Sequence, residues 1–442
     1  MALDLQDLHQ RVGPYEVSVA EEDRVPCALA GHVPEAVATP TTPEAVVATL
    51  AFARERGLAV VPWGAGTQQG LGAPPTRYDI ALSTRGLAAL VDYQPDDMTV
   101  TVQPGMSIGG LWRILAERSQ FLPLDPPRPE RATLGGTVAA NASGPLRAGF
   151  GTARDWLIGA TVATPEGKLV RGGARVVKSV AGYDLCKLWT GSLGTLGVLV
   201  EMTFKVMPLP EAYGFAAAPL DSPERAECLL AAMLDSDVSP AVLELADARA
   251  WQAAIGADVV GPAERFILLT AFFGAREAVD WQLDAFASQA EAAGTRAYPV
   301  SGTDGERFLG SLRDYPGEGD LVARLSVRSS DTAALMEAAT TEAQNRGLGA
   351  SVVAHAVSGT VLARVDDIAA DAVGDLITAW RQAAMAHGGH AVVLRAPAVP
   401  KAFGSRYDPG GSPGAEMRLM ASIKAAMDPD NVLNPGRFVG GL

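Results

Sequence analysis

Residues 62–70 read Pro-Trp-Gly-Ala-Gly-Thr-Gln-Gln-Gly and follow a β-branched run, Leu58–Pro62, that predicts a strand. Glycines permit positive φ and let the backbone approach a ligand closely, and consecutive N–H groups can form a concave anion site. The loop therefore suits a diphosphate, with a plain glycine-rich turn as the alternative. It matches neither the nucleoside-triphosphate loop nor the Rossmann turn with its acidic residue about twenty positions later, so those sites are excluded.

Helix and strand signals alternate around this loop. Thr42 and Pro43 begin a predicted helix that Gly57 ends. Further strands are predicted over Asp79–Ser83 and Thr99–Val102, and a second helix over Ile108–Glu117.

Two further segments are rich in small residues. Residues 132–144 read Ala-Thr-Leu-Gly-Gly-Thr-Val-Ala-Ala-Asn-Ala-Ser-Gly, and residues 191–198 read Gly-Ser-Leu-Gly-Thr-Leu-Gly-Val. Small side chains leave room for a flat cofactor, while the threonine, asparagine and serine of the first segment supply hydrogen bonds. Close packing of glycine-rich strands is the alternative interpretation of each segment.

From residue 213 the pattern becomes repetitive and spells β-α-β-β-α-β twice, which predicts two ferredoxin-like units in tandem. Such units form antiparallel sheets with helices on one face, so residues 213–397 are expected to be a separate α+β domain. The predicted elements are Tyr213–Ala218, Ser222–Leu234, Ala241–Leu245, Arg265–Phe273, Glu277–Ala292 and Thr295–Val300, then Leu321–Val327, Asp331–Arg346, Ser351–Ala356, Thr360–Val365, Asp366–Ala386 and Ala391–Arg395.

Composition narrows the function. The 442 residues are 48% apolar and carry a net charge of −14, which predicts two or three folded domains and argues against binding nucleic acid or anionic lipid. The N-terminus has no signal-peptide pattern, and the uncharged stretch Leu188–Val200 is too short to cross a membrane, so a cytoplasmic protein is predicted. Cys27, Cys186 and Cys228 form no C-x-x-C pair, so any electrons must be carried by an organic cofactor.

The order of the motifs is more specific than any one of them. P-W-G-A-G-T, V-Q-P-G at Val102–Gly105, A-T-L-G-G-T-V-A-A-N, G-S-L-G-T-L-G-V and the late N-V-L-N-P-G-R-F together resemble the vanillyl-alcohol-oxidase-type (PCMH-type) FAD-binding superfamily. Within it, R-D-W-L-I-G at Arg154–Gly159 and K-S-V-A-G-Y-D at Lys178–Asp184 are most similar to the smaller FAD subunit of bacterial glycolate oxidase. The resemblance covers residues 38–210 and the last twenty residues.

The resemblance implies a two-lobed FAD-binding domain over residues 1–212, a cap domain over 213–397 and a return segment over 398–442 that completes the flavin site. Gly64–Gln69 would hold the diphosphate, Thr133–Ser143 would line the ribityl chain and flavin, Gly197 and Val198 would contact the adenine side, and Asn434 would lie near the flavin. The FAD would be non-covalent, because the loop offers glutamines and no histidine. The implied cofactor-binding residues are Pro62, Trp63, Gly64, Ala65, Gly66, Thr67, Gln68, Gln69, Pro104, Thr133, Gly135, Gly136, Thr137, Ala140, Asn141, Ser143, Gly144, Gly197, Val198 and Asn434.

Larger 2-hydroxy-acid dehydrogenases that resemble this chain carry H-x-G-D-G-N-x-H and a later G-E-H-G, which hold a divalent metal. Here the first motif keeps His355 but has Leu362 in place of its second histidine, and the second is reduced to residues around His387 and His390. Too few ligands remain, so no metal is predicted.

Oxidation of a 2-hydroxy acid needs a base for the hydroxyl proton and a cation for the carboxylate. His355 and His390 are the candidate bases, with an ordinary strand histidine as the alternative for each, and Arg364 and Arg395 are the candidate cations. On a regular strand His390 and Arg395 would point to opposite faces, which conflicts with a shared site.

The sequence thus predicts an FAD-dependent oxidoreductase acting on a small 2-hydroxy acid of the glycolate or D-lactate type. Without a cluster of its own, it would pass electrons to a partner subunit carrying an iron–sulfur centre or a second flavin. Two alternatives stay open: a catalytically silent FAD subunit that relays electrons or scaffolds a complex, and a free-standing sugar or alcohol oxidase that uses dioxygen.

Overall fold

The computed structural model describes residues 4–13, 16–174, 183–255, 265–397 and 416–442, so most of the K-S-V-A-G-Y-D motif lies outside the described residues. The described residues fall in two compact units. The first unit draws on Met1–Ala142, Thr152–Leu209 and Ser412–Leu442, and the second on Ser143–Gly151 and Pro210–Gly411. This division differs from the sequence-based boundaries chiefly because residues 143–151 group with the second unit.

Two sheets form the frame of the first unit. In the sheet β1-β2-β4-β3, strand β4 pairs in parallel with both β2 and β3, whereas the sheet β5-β6-β10-β8-β9 is antiparallel throughout, and β7 pairs with β11. The strands are β1 Val17–Ser18, β2 Ala36–Ala38, β3 Val60–Trp63, β4 Ile80–Ser83, β5 Leu90–Gln94, β6 Thr99–Val102, β7 Gln120–Phe121, β8 Leu157–Thr164, β9 Lys168–Gly173, β10 Val198–Lys205 and β11 Met207–Pro208.

Helix Pro43–Glu55 anchors the core of this unit. It begins after Thr42, whose hydroxyl accepts a hydrogen bond from the Ala45 N–H at 3.2 Å. Its Leu50 and Phe52 are fully buried in one apolar cluster with residues of β3, β4 and β10, and each such side chain contributes about 1.5–3 kcal/mol. The other helices of this unit are Leu5–Val12, Glu21–Arg24, Ile108–Ala116, Leu134–Ala140, Ala153–Trp156, Leu185–Trp189 and Met417–Met427.

The second unit is built on one antiparallel sheet, with eight strands among the described residues, in the order β15-β12-β14-β13-β17-β18-β16-β19. Each half has the ferredoxin-like order fourth, first, third, second, and the two halves join where the second strand of each, β13 and β17, pair. The predicted α+β class with an antiparallel cap sheet is confirmed. The strands are β12 Ala212–Leu220, β13 Val242–Asp247, β14 Phe266–Gly274, β15 Tyr298–Val300, β16 Leu321–Ser326, β17 Ala350–His355, β18 Thr360–Val365 and β19 His390–Arg395.

Helices cover both faces of this sheet, although the sequence predicted them on one face only. Pro223–Leu234, Arg276–Ala292, Thr332–Gln344 and Ala370–Ala386 cover the first face, where the indole of Trp380 donates to the Ala339 carbonyl at 2.9 Å. Ala248–Ile255 and Gly302–Asp314, which the sequence analysis missed, lie on the second face. Their apolar residues cover only part of that face, so polar strand residues share it. The unit also includes the short helix Arg147–Phe150.

Candidate functional site

A cleft lies in the first unit beside the end of β3, where the three glycine-rich segments meet; its empty space, part of it open to solvent, is about 820 Å³. The lining residues that the sequence predicted are Pro62, Trp63, Gly64, Ala65, Gly66, Thr67, Gln68, Gln69, Pro104, Thr133, Gly135, Gly136, Ala140, Gly197, Val198 and Asn434. Ala139 also lines the cleft and lies in the predicted segment Thr133–Ser143. The lining residues that the sequence did not predict are Leu71, Thr84, Val162, Trp189, Ser192, Leu193, Gly194, Leu199 and Arg437.

Four predicted cofactor residues are not brought to this cleft. The Thr137 hydroxyl donates to the Thr133 carbonyl at 2.9 Å, which turns it back onto its own helix, and Asn141 ends that helix in a left-handed conformation. Ser143 and Gly144 belong to the second unit. The small-residue segment therefore contributes to the cleft only as far as Ala140.

Glycine is required at two positions of the first loop. Gly66 has φ +75°, and a Cβ there would lie 2.9 Å from Cζ3 of Trp63. A Cβ on Gly64 would lie 2.1 Å from the Thr133 hydroxyl oxygen. The loop thus keeps a narrow space that side chains would fill, as an approach of backbone N–H groups to an anion requires.

A chain of hydrogen bonds fixes the strand end from which this loop leaves. The Trp63 indole N–H donates to the Tyr78 hydroxyl at 2.7 Å, and that hydroxyl donates to the Cys27 carbonyl at 2.9 Å. Burial raises the pKa of Tyr78, so the phenol stays protonated and able to donate. The Thr84 hydroxyl donates to the Trp63 carbonyl at 3.1 Å.

Arg437 holds the far side of the same loop. Its guanidinium, 3% exposed, donates to the carbonyls of Gln69 at 3.1 Å and Leu71 at 2.8 Å and to the Gln69 side-chain oxygen at 3.2 Å. These acceptors are neutral, and burial lowers the pKa of Arg437 to about 10. Arg437 belongs to the N-P-G-R motif that the sequence analysis quoted. A cation in that motif was the signal that could have marked Arg437 as a residue of the site.

A buried lysine holds the segment that carries Arg437. Lys424 Nζ donates to the carbonyls of Thr195 and Leu433, each at 2.9 Å, and to Asp428 Oδ2 at 2.6 Å. Asp428 in turn accepts from the N–H groups of Val432 at 3.0 Å and Leu433 at 2.8 Å. This pair connects the last turn of the chain to the loop that precedes β10.

The same segment runs along the edge of β3. Val60 donates to the Val432 carbonyl at 2.8 Å and accepts from the Asn434 N–H at 2.9 Å. The Asn434 side chain donates to the Leu193 carbonyl at 2.5 Å, while its Oδ1 is buried without a partner among the described residues. Asn434 is thereby fixed with an unused acceptor beside the cleft.

The residues present fit a flavin dinucleotide. Besides the Asn434 oxygen, the Trp189 indole N–H and the Arg437 Nε are buried without a partner within the described ranges, and all three residues line the cleft. Buried polar atoms normally have partners, so a ligand with complementary groups is expected there. The glycine-lined space accommodates a diphosphate, and the apolar remainder accommodates rings.

A second group of functional side chains lies in the second unit. Glu244 on β13 and His355 on β17 are opposite each other at the junction of the two ferredoxin-like halves, and His355 Nδ1 lies 2.7 Å from Glu244 Oε1. Glu244 is fully buried and His355 is 3% exposed. Burial raises the pKa of Glu244, against the opposing influence of His355.

Arg324 on β16 lies on the same face of the sheet. No hydrogen bond or ion pair joins its guanidinium to another residue in the described part of the chain, and burial, followed by the charge of Arg147, lowers its pKa. His390 lies at the start of the neighbouring β19, and burial and the Arg324 charge lower its pKa. We call Glu244, His355, Arg324 and His390 the polar cluster.

The predicted arginines are not brought into this cluster. The pairings Arg364–Val322 and Arg395–Val322 place both at the other end of β16 from Ser326, which pairs with His390. Four residues along a strand correspond to about 13 Å. A register shift in the β16–β19 pair nevertheless returns Arg395 to the face of His390, so the expected conflict of faces does not arise.

Both arginines also have partners where they lie. The Arg364 guanidinium bonds Glu318 at 2.8 Å and Asp366 at 3.1 Å, and packs on the Tyr315 ring. Arg395 donates to the Gly317 carbonyl at 2.9 Å. The sequence-based grouping of these arginines with the histidines is therefore not what the structure presents, and Arg324 is the cation beside His390, on the same sheet face as His355.

Across the described residues, no three His, Cys, Asp or Glu side chains come together in a way that could hold a metal ion. No helix in the described ranges is long and apolar enough to span a membrane.

Comparison with known families assigns most of the chain. Residues 34–173 match the family described as "FAD binding domain", and residues 209–392 and 412–438 match "FAD linked oxidases, C-terminal domain". The fold is similar to that of alkyldihydroxyacetonephosphate synthase (TM-score 0.77, 17% identity, 99% of this chain and 86% of that one) and of p-cresol methylhydroxylase (TM-score 0.74, 18% identity, 98% and 95%).

Curated relatives share part of the sequence. Glycolate oxidase subunit GlcD of Bacillus subtilis (strain 168) is 31% identical over 49% of this chain and 46% of its own length, and glycolate oxidase subunit GlcE of Escherichia coli (strain K12) is 39% identical over 34% and 42%. D-lactate dehydrogenase of Anaerostipes hadrus is 31% identical over 48% and 44%. The chain thus spans less than half the length of these relatives.

The two family matches and a cleft whose residues fit a flavin dinucleotide place the chain among the FAD-linked oxidoreductases. The chain belongs to the vanillyl-alcohol-oxidase-type (PCMH-type) FAD-binding superfamily, with glycolate-oxidase-like relatives, and its cofactor is FAD. The predicted superfamily and the predicted cofactor are confirmed.

Proposed function

We propose that this protein oxidises a small 2-hydroxy acid to the 2-oxo acid. The observation that carries the proposal is Arg324, a cation without a partner in the described structure, on the same sheet face as two histidines. A desolvated carboxylate needs a charged partner, and a hydroxyl that loses its proton needs a base. Relatives named for glycolate and D-lactate oxidation support this substrate class.

Each residue of the polar cluster would have a separate role in binding or deprotonating the substrate. Arg324 holds the substrate carboxylate by paired N–H donors, which orients the carbon that bears the hydroxyl. His355 or His390 accepts the hydroxyl proton as the C–H hydrogen leaves with its electron pair. The lowered pKa of His390 keeps its imidazole neutral near pH 7, as a base requires. Bound FAD supplies the two-electron acceptor.

The cleft residues would bind FAD non-covalently. Gln68 and Gln69 occupy the loop, and the Gln69 side chain is already engaged, donating to the Pro62 carbonyl at 2.9 Å. Acid precipitation should therefore release intact FAD, and flavin that stays with the precipitated polypeptide would contradict this part of the proposal.

The experiment that tests the function is anaerobic mixing of the purified yellow protein with glycolate, D-lactate and other 2-hydroxy acids. Bleaching of the flavin's visible absorbance with formation of the 2-oxo acid is expected, and it should be unchanged after treatment with a chelator. A flavin that dithionite reduces but no hydroxy acid reduces would favour a silent relay subunit. Loss of bleaching with chelator and recovery with zinc or manganese would show a metal site.

We propose further that a partner subunit with an iron–sulfur centre or a second flavin receives the electrons. The relatives named as subunits of glycolate oxidase support this assignment. After reduction by substrate, the flavin should reoxidise slowly in dioxygen and quickly with an added artificial acceptor. Fast reoxidation by dioxygen would instead identify a free-standing oxidase.

A further inference from the structure

We propose that Glu244 is the positioning residue that makes His355 the base of the proposed reaction. The inference rests on the proposed function and goes beyond it, because it chooses between the two histidines and assigns a role to a carboxylate that no sequence motif indicated. It predicts that Glu244 is ionised and that His355 is neutral, with its proton on Nδ1.

The first argument is geometric. Register fixes the pair, since Glu244 and His355 are directly opposed on β13 and β17. The adjacent pairings of Leu245 with Ala354 and Ala246 with Val353 hold that register, and their side chains are almost completely buried. The 2.7 Å contact between Nδ1 and Oε1 is therefore set by the sheet and not by two mobile side chains.

The second argument is chemical. An imidazole that donates from Nδ1 to a carboxylate carries its lone pair on Nε2, which is the tautomer required to accept a substrate proton there. No hydrogen bond of His355 Nε2 to another described residue competes for that lone pair. The carboxylate also stabilises the imidazolium that forms after the proton is taken.

The third argument is electrostatic. Glu244 is fully buried and its Oε2 has no partner among the described residues, so an isolated carboxylate would be costly. Arg147 exerts an opposing positive influence on Glu244, and the same arginine acts on Arg324. The positive charge of Arg147 thus favours an ionised Glu244, in opposition to the burial that raises the pKa of this carboxyl.

His390 lacks this arrangement. No carboxylate in the described ranges is bonded to its ring, and its exposed position leaves the tautomer free. His355 is buried and its ring is held by a hydrogen bond, whereas His390 is exposed and its ring is not held. A general base is most effective when the nitrogen that carries its proton is fixed before the substrate binds.

The first experiment determines the tautomer of His355 by long-range ¹H–¹⁵N correlation NMR. The sample is holoprotein labelled with ¹⁵N at its five histidines, and the variant His355→Gln assigns the His355 signal. We expect a neutral His355 protonated on Nδ1. In Glu244→Gln, whose amide oxygen can still accept, the tautomer should persist, and in Glu244→Leu it should be lost. A His355 protonated on Nε2 in the wild-type protein overturns the proposal.

The second measurement is stopped-flow anaerobic flavin reduction, with flavin spectra and melting temperatures confirming that each variant is folded. Glu244→Leu should lower the limiting rate constant at least tenfold while changing the half-saturating substrate concentration less than threefold, with partial recovery in Glu244→Gln. Loss of reduction in His390→Gln but not in His355→Gln overturns the assignment. If no hydroxy acid reduces the wild-type flavin, the proposed function fails, while the tautomer measurement still decides the Glu244–His355 arrangement.

Discussion

Each of the two units contains a buried or partly buried arginine, and the two guanidinium groups differ in their hydrogen-bond partners. In the first unit Arg437 is surrounded by carbonyls and a side-chain oxygen of the loop that it holds. In the second unit Arg324 has no partner in the described part of the chain. A cation held mainly by internal hydrogen bonds, as Arg437 is through all but its Nε, stabilises a shape, whereas one left without a partner is available to a ligand and costs stability until the ligand arrives.

The cleft and the polar cluster also differ in the types of residue that form them. Apart from Arg437, the cleft is formed by backbone, glycines and neutral side chains, which suits a cofactor that the protein binds but does not modify chemically. The polar cluster is formed by ionisable side chains on strands, which suits a molecule that must lose a proton. Four substitutions test whether this division is real.

Gly66→Glu should have the largest effect, a complete loss of bound FAD. A side chain at φ +75° would meet Trp63 at 2.9 Å and add negative charge where the loop would face the diphosphate. FAD content after gel filtration measures the effect. Gly302→Glu is the matched control, because a Cβ there meets nothing within 4 Å, and it should keep normal flavin content.

Lys424→Met should lower the free energy of unfolding of the first unit by about 3 kcal/mol, since it leaves Asp428 buried without its cation. Urea unfolding followed by flavin fluorescence reports this. The double variant Lys424→Met/Asp428→Leu removes both charges and should recover part of the loss. A single variant as stable as wild type would show that carbonyl-bound cations do not stabilise this unit.

Arg437→Met should weaken FAD binding by about 2 kcal/mol, roughly thirtyfold in Kd, because the loop carbonyls lose their donor. Titration of apoprotein with FAD measures this. The half-saturating concentration of substrate for the loaded protein should stay within threefold of wild type, and a larger change would remove the distinction between a shaping cation and a ligand-binding one.

Arg324→Met should raise the half-saturating substrate concentration at least tenfold, about 1.4 kcal/mol of lost binding. The melting temperature should stay unchanged or rise, because no internal bond is broken and an unpaired cation is removed. Arg364→Met is the matched control, since its guanidinium is already bound by Glu318 and Asp366. If Arg364→Met has the larger effect on substrate, the original sequence-based choice of cation is restored.

The sequence could predict the cleft because its residues come in contiguous motifs. Gly66 and Gly197 lie within glycine patterns whose backbone role can be recognised locally. Trp189 carried no comparable signal, because a tryptophan in a short helix is ordinarily core. The limit of the segment at Ala140 was also invisible, since the chain changes units between Ala142 and Ser143 without any change in composition.

The polar cluster could be predicted only in part. His355 and His390 were recognised as residue types suited to the chemistry, but Glu244 lies 111 residues from His355 and meets it only through the pairing of two strands from different halves. The sequence analysis named Arg364 and Arg395 and did not consider Arg324. Which arginine lies near a histidine depends on strand register and on the irregularity in the β16–β19 pair, and neither can be read from the sequence. Periodicity gives the face of a residue, whereas its neighbours across the sheet follow from tertiary structure.

The hydrogen bonds that join Val60 to Val432 and Asn434 have a consequence for biosynthesis. A ribosome completes the loop of residues 62–70 early, yet Asn434 and Arg437 emerge more than 350 residues later, as the 368-residue separation between Gln69 and Arg437 shows. The nascent chain must keep an unfinished strand edge and an open cleft while the whole second unit is synthesised. We therefore expect the complete cleft to form only after Arg437 has been synthesised, so that the supply of FAD in the cell affects the yield of folded protein.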